Sequence, residues 1–319
     1  MFDSKWFIQI GLLLKLVFFL NNIQCFSVDS ESFAVQPPPP PSSPPSQSIH
    51  IECAPTFDET NCYVAKRIQM KYGDRLEFDN MTVNQADKVE KFSIAYNAHI
   101  PFIPVQIFEK FRNLEEFQMQ STNLNILNYE DFENAWNLHN LTISDNKLGH
   151  IPSSVFARAK HLTEIRLDGN LILHLDNFAF NGLDELYMLS LNKNRLITLK
   201  SFAFNGAHHL TDLRLEYNEI EVIEPGAFDL PDLMFLFLRN NQIKVLPDHL
   251  FDSTPFLYVL DLRSNSLQHI GATIYNLRNL YRLVLLQNDQ IEDFNVTRFK
   301  GMRNLFDFQY DQLRYKKLK

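Results

Sequence analysis

The 319-residue sequence has little glycine, little cysteine and no excess of positive charge. It contains nine glycines and three cysteines, and its formal net charge is −8 at pH 7. Nonspecific binding to nucleic acid needs a basic field, so the acidic balance argues against a nucleic-acid partner.

Signatures of catalysis are missing as well. No H-E-x-x-H metal motif, no G-x-S-x-G nucleophile motif and no glycine-rich phosphate loop occurs, and the ten histidines are scattered. The adjacent His208 and His209 fall at a predicted turn, where a solvated or capping role is a better interpretation than metal binding. The sequence therefore predicts no enzyme, no metal site and no cofactor.

Long apolar runs are scarce, and the run near the N terminus is short. Residues 1–27 contain a short polar start with one lysine, then about 15 largely apolar residues, then small residues suited to cleavage before Val28. A membrane span needs roughly 20 apolar residues, so we predict a secretory signal peptide rather than an uncleaved anchor. We expect a secreted, extracellular protein without a stable membrane span.

Residues 28–48 are rich in proline and serine, with five consecutive prolines at 37–41. Such a composition favours extended polyproline and cannot bury a core, so it predicts a disordered linker. A ligand for SH3 or WW domains is the alternative, but those domains are cytosolic.

The main part of the chain, residues 89–315, repeats one short pattern. The copy from Leu186 to Leu196 has the form L-x-x-L-x-L-x-x-N-x-L, and the same frame returns at steps of 23 to 25 residues. The ten frames start at Val89, Leu114, Leu138, Leu162, Leu186, Leu210, Leu233, Leu257, Leu280 and Leu305. This is the signature of leucine-rich repeats. It predicts an α/β solenoid, a curved horseshoe with a parallel β-sheet on its concave face and short helical or irregular convex segments.

Two columns of side chains recur in these frames. We expect the asparagine of each frame to be buried and to bond the backbone of neighbouring turns. This column is Asn97, Asn146, Asn170, Asn194, Asn218, Asn241, Asn265 and Asn288. Thr122 and Leu313 replace it in the second and tenth frames, which predicts a looser second coil and an atypical last one. The second column predicts a buried stack of rings: Phe108, Phe132, Phe156, Phe180, Phe204, Phe228, Phe251 and Phe299, with Ile274 in the eighth slot.

A solenoid exposes its first apolar slice unless a cap covers it. We assign this cap to residues 49–88, with Leu76, Phe78, Met81 and Val83 as its apolar cover. Cys53 and Cys62 are the only cysteines after the signal, and in an oxidising compartment such a pair predicts a disulfide. At the other end, residues 316–319 form a basic tail.

The third, fifth and seventh positions of each frame are predicted to face solvent on the concave side. In frames two to four these positions are polar, and carboxylates such as Glu164 next to Arg166 predict exposed ion pairs. From frame five onward, apolar and arginine side chains predict a partner-binding surface, because that composition is typical of interface cores. Its residues are Met188, Arg214, Phe235, Phe237, Arg239, Val259, Arg263, Arg282, Val284 and Leu286. The alternative is that an insertion or self-packing covers these rings.

Three sequons predict N-glycosylation, at Asn80, Asn140 and Asn295. Asn140 would carry its glycan on the polar part of the concave face, leaving the apolar part open.

The cap also carries a family resemblance. Cys53-x8-Cys62, followed by Leu76 to Gln85 and by Val89-Glu-Lys-Phe92, resembles the start of the mosquito leucine-rich immune proteins, most of all their Plasmodium-responsive branch. The resemblance implies a role in innate immunity, and partners such as a complement-like thioester protein or another leucine-rich repeat protein. The family's C-terminal cysteine-rich and coiled-coil segments have no counterpart among these 319 residues. We therefore expect a secreted, non-enzymatic, protein-binding protein of immune recognition or scaffolding; the alternative is an extracellular adhesion, guidance or matrix protein.

Overall fold

The computed structural model describes residues 47–54, 60–64, 67–94, 98–292 and 294–311. The predicted signal, nearly all of the linker, the basic tail, Asn97 and Leu313 lie outside these ranges. Within them, no helix is long and apolar enough to cross a membrane.

The described chain consists of many short strands and few helices. The strands are β1 (Ser48–Ile51), β2 (Asn61–Val64), β3 (Arg75–Phe78), β4 (Lys91–Ile94), β5 (Glu116–Met119), β6 (Asn140–Thr142), β7 (His150–Ile151), β8 (Glu164–Arg166), β9 (His174–Leu175), β10 (Met188–Ser190), β11 (Thr198–Leu199), β12 (Asp212–Arg214), β13 (Val222–Ile223), β14 (Phe235–Phe237), β15 (Val259–Asp261), β16 (Arg282–Val284) and β17 (Asp307–Gln309). The helices are α1 (Val83–Ala86), α2 (Gln106–Lys110) and α3 (Ala272–Tyr275), with 3-10 turns at Tyr129–Phe132 and Val296–Gly301.

Eleven of these strands form one parallel sheet, in the order β2-β4-β5-β6-β8-β10-β12-β14-β15-β16-β17. The frames supply ten strands and the cap supplies β2. The register keeps equivalent positions level: Leu189 lies opposite Leu213, and Leu213 lies opposite Leu236. The predicted solenoid with a parallel sheet is therefore confirmed. We call the sheet face that points away from the core the concave face.

The core behind the sheet contains the predicted stack of rings. From Phe108 to Phe251, consecutive rings have centroids 5.4 to 6.4 Å apart and side chains at most 4% exposed. Ile274 and Phe299 continue the column and are also buried. Burial of each ring stabilises the fold by about 2–3 kcal/mol.

The asparagine column bonds the turns to one another, as predicted for its described members. Asn194 shows the pattern: its Nδ2 donates to the carbonyls of Leu167 (3.0 Å) and Leu191 (3.1 Å), and its Oδ1 accepts from the amide of Ile172 (3.1 Å). These buried carbonyls and amides would otherwise lack partners.

The second coil is not looser there, so that prediction is wrong. Thr122 is fully buried, and its amide and hydroxyl both donate to Oδ1 of Asn146, at 2.9 and 3.0 Å. The same oxygen accepts from the amide of Leu124 at 3.1 Å. Asn146 of the third coil thus bonds the turn of the second coil, because the hydroxyl of Thr122 reaches the Asn146 side chain.

The residue before the column position is left-handed in coil after coil. Its φ lies between 54° and 69° at Ser121, Asp145, Gly169, Lys193, Tyr217, Asn240, Ser264 and Gln287. In this conformation the amide of Lys193 reaches the carbonyl of Glu216 in the next coil, at 2.8 Å. Seven of these eight residues carry a Cβ, which makes the conformation costly.

The 3-10 turn Tyr129–Phe132 contains a buried carboxyl group. The side chain of Asp131 accepts from the amide of Asn128 at 2.7 Å. Burial raises the pKa of Asp131 from 3.8 to about 6, although the hydrogen bonds from Asn128 act in the opposite direction.

The cap is closed by the expected disulfide between Cys53 and Cys62, with Cα atoms 4.9 Å apart. β1 pairs in parallel with β3, which brings Leu76 into the core and packs Phe78 and Met81 against it. Val83 does not join this cover: it begins α1 and is 71% exposed. The prediction failed there because the capping box of Thr82 and Gln85 starts a helix that turns the valine outward.

Candidate functional site

The concave face of frames two to four is polar and paired. Glu164 contacts Arg166, and Lys91 lies 3.2 Å from Glu116. Further along the sheet, Asp212 accepts twice from Arg214, at 3.0 and 2.9 Å. This hydrogen bonding raises the pKa of Arg214 above its ordinary value. The predicted ion pairs are therefore present.

The other three arginines of the predicted binding surface are paired too. Arg239 lies 2.9 Å from Glu216, Arg263 lies 3.5 Å from Asp261, and Arg282 lies 3.2 Å from Asp307. Each guanidinium is held by a carboxylate of its own or an adjacent coil. The surface between them is therefore close to neutral and selects for shape and apolar contact more than for charge.

Four apolar side chains remain half-exposed between these ion pairs: Phe235, Phe237, Val259 and Leu286. We call these four residues the concave patch. Phe235 and Val259 are register partners on adjacent strands. The guanidinium carbon of Arg214 lies 5.9 Å from the centroid of Phe237, which holds that ring from one side.

Two apolar residues that we expected on this surface are buried. Met188 is 4% exposed, between Glu164 and Asp212 on the neighbouring strands, and Val284 is fully buried. The expectation of exposure is wrong for both: the adjacent strands place Glu164 and Asp212 beside Met188, and Asp261 and Gln309 beside Val284. The frame gives the direction of a side chain but not the reach of the side chains beside it.

The structure adds a row of rings that the third, fifth and seventh positions do not include. Tyr258, Tyr281 and Phe306 occupy the second position of frames eight to ten, at the edge of the sheet where each strand begins. Their rings are parallel within 7° and 5°, with centroids 4.9 and 5.8 Å apart. We call these three residues the edge ladder. The aromatic residues at this one frame position are the sequence signal that could have revealed it.

The edge ladder continues from the concave patch. The ring of Phe235 meets Tyr258 edge-on, with centroids 6.4 Å apart. A groove of about 680 Å³ runs along the ladder, with exposed Met234 and Phe256 in its lining. Patch, ladder and groove form one apolar surface over coils seven to ten.

The three sequons have different surroundings. Asn80 is exposed and donates to Glu52 at 3.1 Å, and Asn295 is exposed and caps a 3-10 turn. Asn140 is half-exposed within β6, flanked in register by Glu116 and Glu164.

The described residues offer no group of three or more histidine, cysteine, aspartate or glutamate side chains that could hold a metal ion. Of the adjacent histidines, His209 lies 2.7 Å from Asp232 in an exposed contact.

Comparison with known proteins agrees with the repeat assignment. The family model described as "Leucine rich repeat" matches residues 136–196, 184–243 and 231–290. Osteomodulin from Bos taurus is 35% identical over 98 aligned residues, which cover 24% of this chain and 22% of that protein. The chain therefore spans about a fifth of the length of this relative.

Solved structures share the fold. A leucine-rich repeat protein of Leptospira interrogans aligns with a TM-score of 0.60 and 24% identity, covering 71% of this chain and 57% of that one. The Toll–Spatzle complex, described as a molecular hub in Drosophila development and innate immunity, aligns with a TM-score of 0.55 and 26% identity. That alignment covers 75% of this chain and 36% of the other.

Proposed function

We propose that this chain, which folds as a leucine-rich repeat solenoid, acts as a secreted, non-enzymatic binding protein whose concave patch contacts a protein partner. The observation that carries this proposal is the half-exposed pair Phe235 and Phe237, which lie beside Val259 and Leu286 on a sheet face that is polar in coils two to four. Aromatic rings bordered by arginines are typical of interface hot spots, where the loss of one ring costs about 2 kcal/mol or more.

The biological role that we propose is innate-immune recognition or scaffolding in body fluid. The cap sequence supports it, as does the likeness to Toll, a protein of a complex described as a hub of innate immunity. A complement-like thioester protein and another leucine-rich repeat protein are the candidate partners.

The alternative role is extracellular adhesion, guidance or matrix binding. The same Toll complex is described as acting in development, which favours keeping this alternative. Expression in blood cells or fat body after infection supports the immune role, whereas patterned expression in nerve or muscle supports the alternative.

A glycan on Asn140 would fit either role. It would cover the polar strands β5, β6 and β8 and leave the concave patch open. A mass decrease after glycosidase treatment of the secreted protein, smaller by one glycan in Asn140→Gln, is the expected result.

The deciding experiment is capture of partners from body fluid with the purified full chain. We expect the double variant Phe235→Ser, Phe237→Ser to fold normally and to lose the partners that the wild type captures. The matched control is Gln118→Ser, Gln120→Ser in the polar part of the same face, which should capture them normally. If the phenylalanine variant binds every partner like the wild type, the proposed site is wrong.

A further inference from the structure

We propose that the groove beside the edge ladder binds one apolar face of an α-helix supplied by the protein partner. This inference rests on the proposed function, and it assigns a secondary structure and an orientation to the segment that docks.

The backbone at the edge ladder leaves no room for an added strand. The carbonyl of Tyr258 accepts from the amides of Tyr281 (2.9 Å) and Arg282 (3.0 Å). The carbonyl of Tyr281 accepts in the same way from Phe306 (2.9 Å) and Asp307 (3.0 Å). An extended peptide gains much of its affinity from main-chain bonds, which are already taken here. A helix satisfies its own backbone and needs only side-chain contacts.

The middle ring of the ladder, Tyr281, presents its edge to the groove. Tyr281 stacks between Tyr258 and Phe306, so both faces of its ring are covered and its edge is what remains for contact. Aliphatic side chains can pack against such edges, whereas a flat sugar or base ring would need an open aromatic face.

The spacing of the ladder suits a helix. Its centroid separations of 4.9 and 5.8 Å lie on either side of the α-helical pitch of about 5.4 Å. A helix aligned with the groove therefore places a side chain from each turn, three or four residues apart, against successive rings. From coil seven to coil ten the groove covers three steps of about 4.8 Å, which corresponds to a helix of about ten residues.

The two ends of the groove carry opposite charges. Asp232 lines it at coil seven and the exposed Arg303 lines it at coil ten. A helix has a positive N-terminal end and a negative C-terminal end. The charges therefore favour a helix whose N terminus lies near Asp232 and whose C terminus lies near Arg303.

The test uses a fluorescent, hydrocarbon-stapled helical peptide of about 12 residues with leucine at every third or fourth position. The comparison peptide has the same length and the same number of leucines, which alternate along the chain, and a central proline that prevents a helix. Fluorescence anisotropy with the full chain should give about tenfold tighter binding of the helical peptide.

Two tyrosines at the same frame position provide a matched pair of variants. Tyr281 lies in the ladder and is 37% exposed, whereas Tyr187 in the fifth frame is 48% exposed and lies outside the groove. We expect Tyr281→Ser to weaken binding of the helical peptide about tenfold and Tyr187→Ser to leave it unchanged. Met234→Gln, also in the groove, should weaken it similarly and guards against misfolding of the serine variant. Arg303→Glu should weaken it about threefold through the helix dipole.

Equal binding of the two peptides, no binding of the helical one, or equal effects of Tyr281→Ser and Tyr187→Ser would overturn the inference. Failure of the proposed function can be distinguished from failure of the helix inference. If capture from body fluid depends on Phe235 and Phe237 but the helical peptide does not bind, the function stands and the helix does not. If the helical peptide binds but capture from body fluid does not depend on Phe235 and Phe237, the helix inference stands and the proposed function is wrong.

Discussion

The concave faces of coils two to four and of coils seven to ten belong to one sheet and lie over one core, yet their side chains differ. The first is covered by paired charges and amides, such as Glu164 with Arg166. The second exposes Phe235, Phe237 and the edge ladder. Since the buried ring column and the asparagine column reach both regions, the repeat gives them one core and leaves the outward positions free to differ.

The largest expected effect tests whether the core is uniform. Phe156→Ala below the polar coils and Phe251→Ala below the apolar coils should each lower the free energy of unfolding by about 3–5 kcal/mol, since each leaves a cavity in a packed, buried column. Chemical denaturation followed by circular dichroism measures it.

As a control for that comparison, Phe235→Ser removes a half-exposed ring and should change stability by less than about 1 kcal/mol. If Phe156→Ala and Phe251→Ala differ by more than about 2 kcal/mol, the two regions do not share one uniform core.

The next effect belongs to the N-terminal end. Replacing Cys53 and Cys62 by serine should lower the free energy of unfolding by about 2–3 kcal/mol. The disulfide joins residues nine positions apart and so restricts the unfolded chain. Hydrogen exchange should rise in β1 and β3 and stay unchanged in β14 to β16. Equal loss of protection at both ends would mean that the cap and the concave patch unfold as one unit.

The sequence predicts the features that all repeats share, and it predicts fewer of the features that distinguish one coil from another. The period fixes the sheet, the core columns and the direction of Phe235 and Phe237. It cannot give the burial of Met188 and Val284, which depends on how far neighbouring side chains reach. Thr122 shows the same limit: its hydroxyl and Asn146 close a coil that the missing asparagine predicts to be loose.

The pH dependence of stability distinguishes the polar region from the apolar one. The pKa of Asp131 is about 6 in the folded protein against 3.8 for the ordinary group, so between these values the folded state holds more protons than the unfolded state. Stability should therefore fall as pH rises from about 4 to 6, by up to about 3 kcal/mol.

Asp131→Asn should remove this fall, because the amide stays neutral and its oxygen can still accept from Asn128. At pH 7 we expect it to be about 1–2 kcal/mol more stable than the wild type. The neighbouring exposed Glu130→Gln is the control and should follow the wild-type profile. Unfolding midpoints are measured at pH 4, 5, 6 and 7. If the midpoint of Asp131→Asn falls with pH as steeply as that of the wild type, a group other than Asp131 causes the pH dependence.

The smallest effect concerns the residues with left-handed φ that precede the asparagine column, which occur in both regions. Lys193 holds a φ of 54°, and its Cβ costs about 1–2 kcal/mol there, whereas glycine adopts the conformation freely but loses more entropy on folding. Lys193→Gly should therefore stabilise the protein by about 0.5 kcal/mol, and Lys193→Val should destabilise it. Asn240→Gly in the apolar region should gain less, since asparagine tolerates this conformation. Thermal unfolding of the three variants measures the order of their stabilities. If Asn240→Gly stabilises the protein more than Lys193→Gly does, side-chain contacts of coil seven, rather than backbone conformation, dominate at these positions.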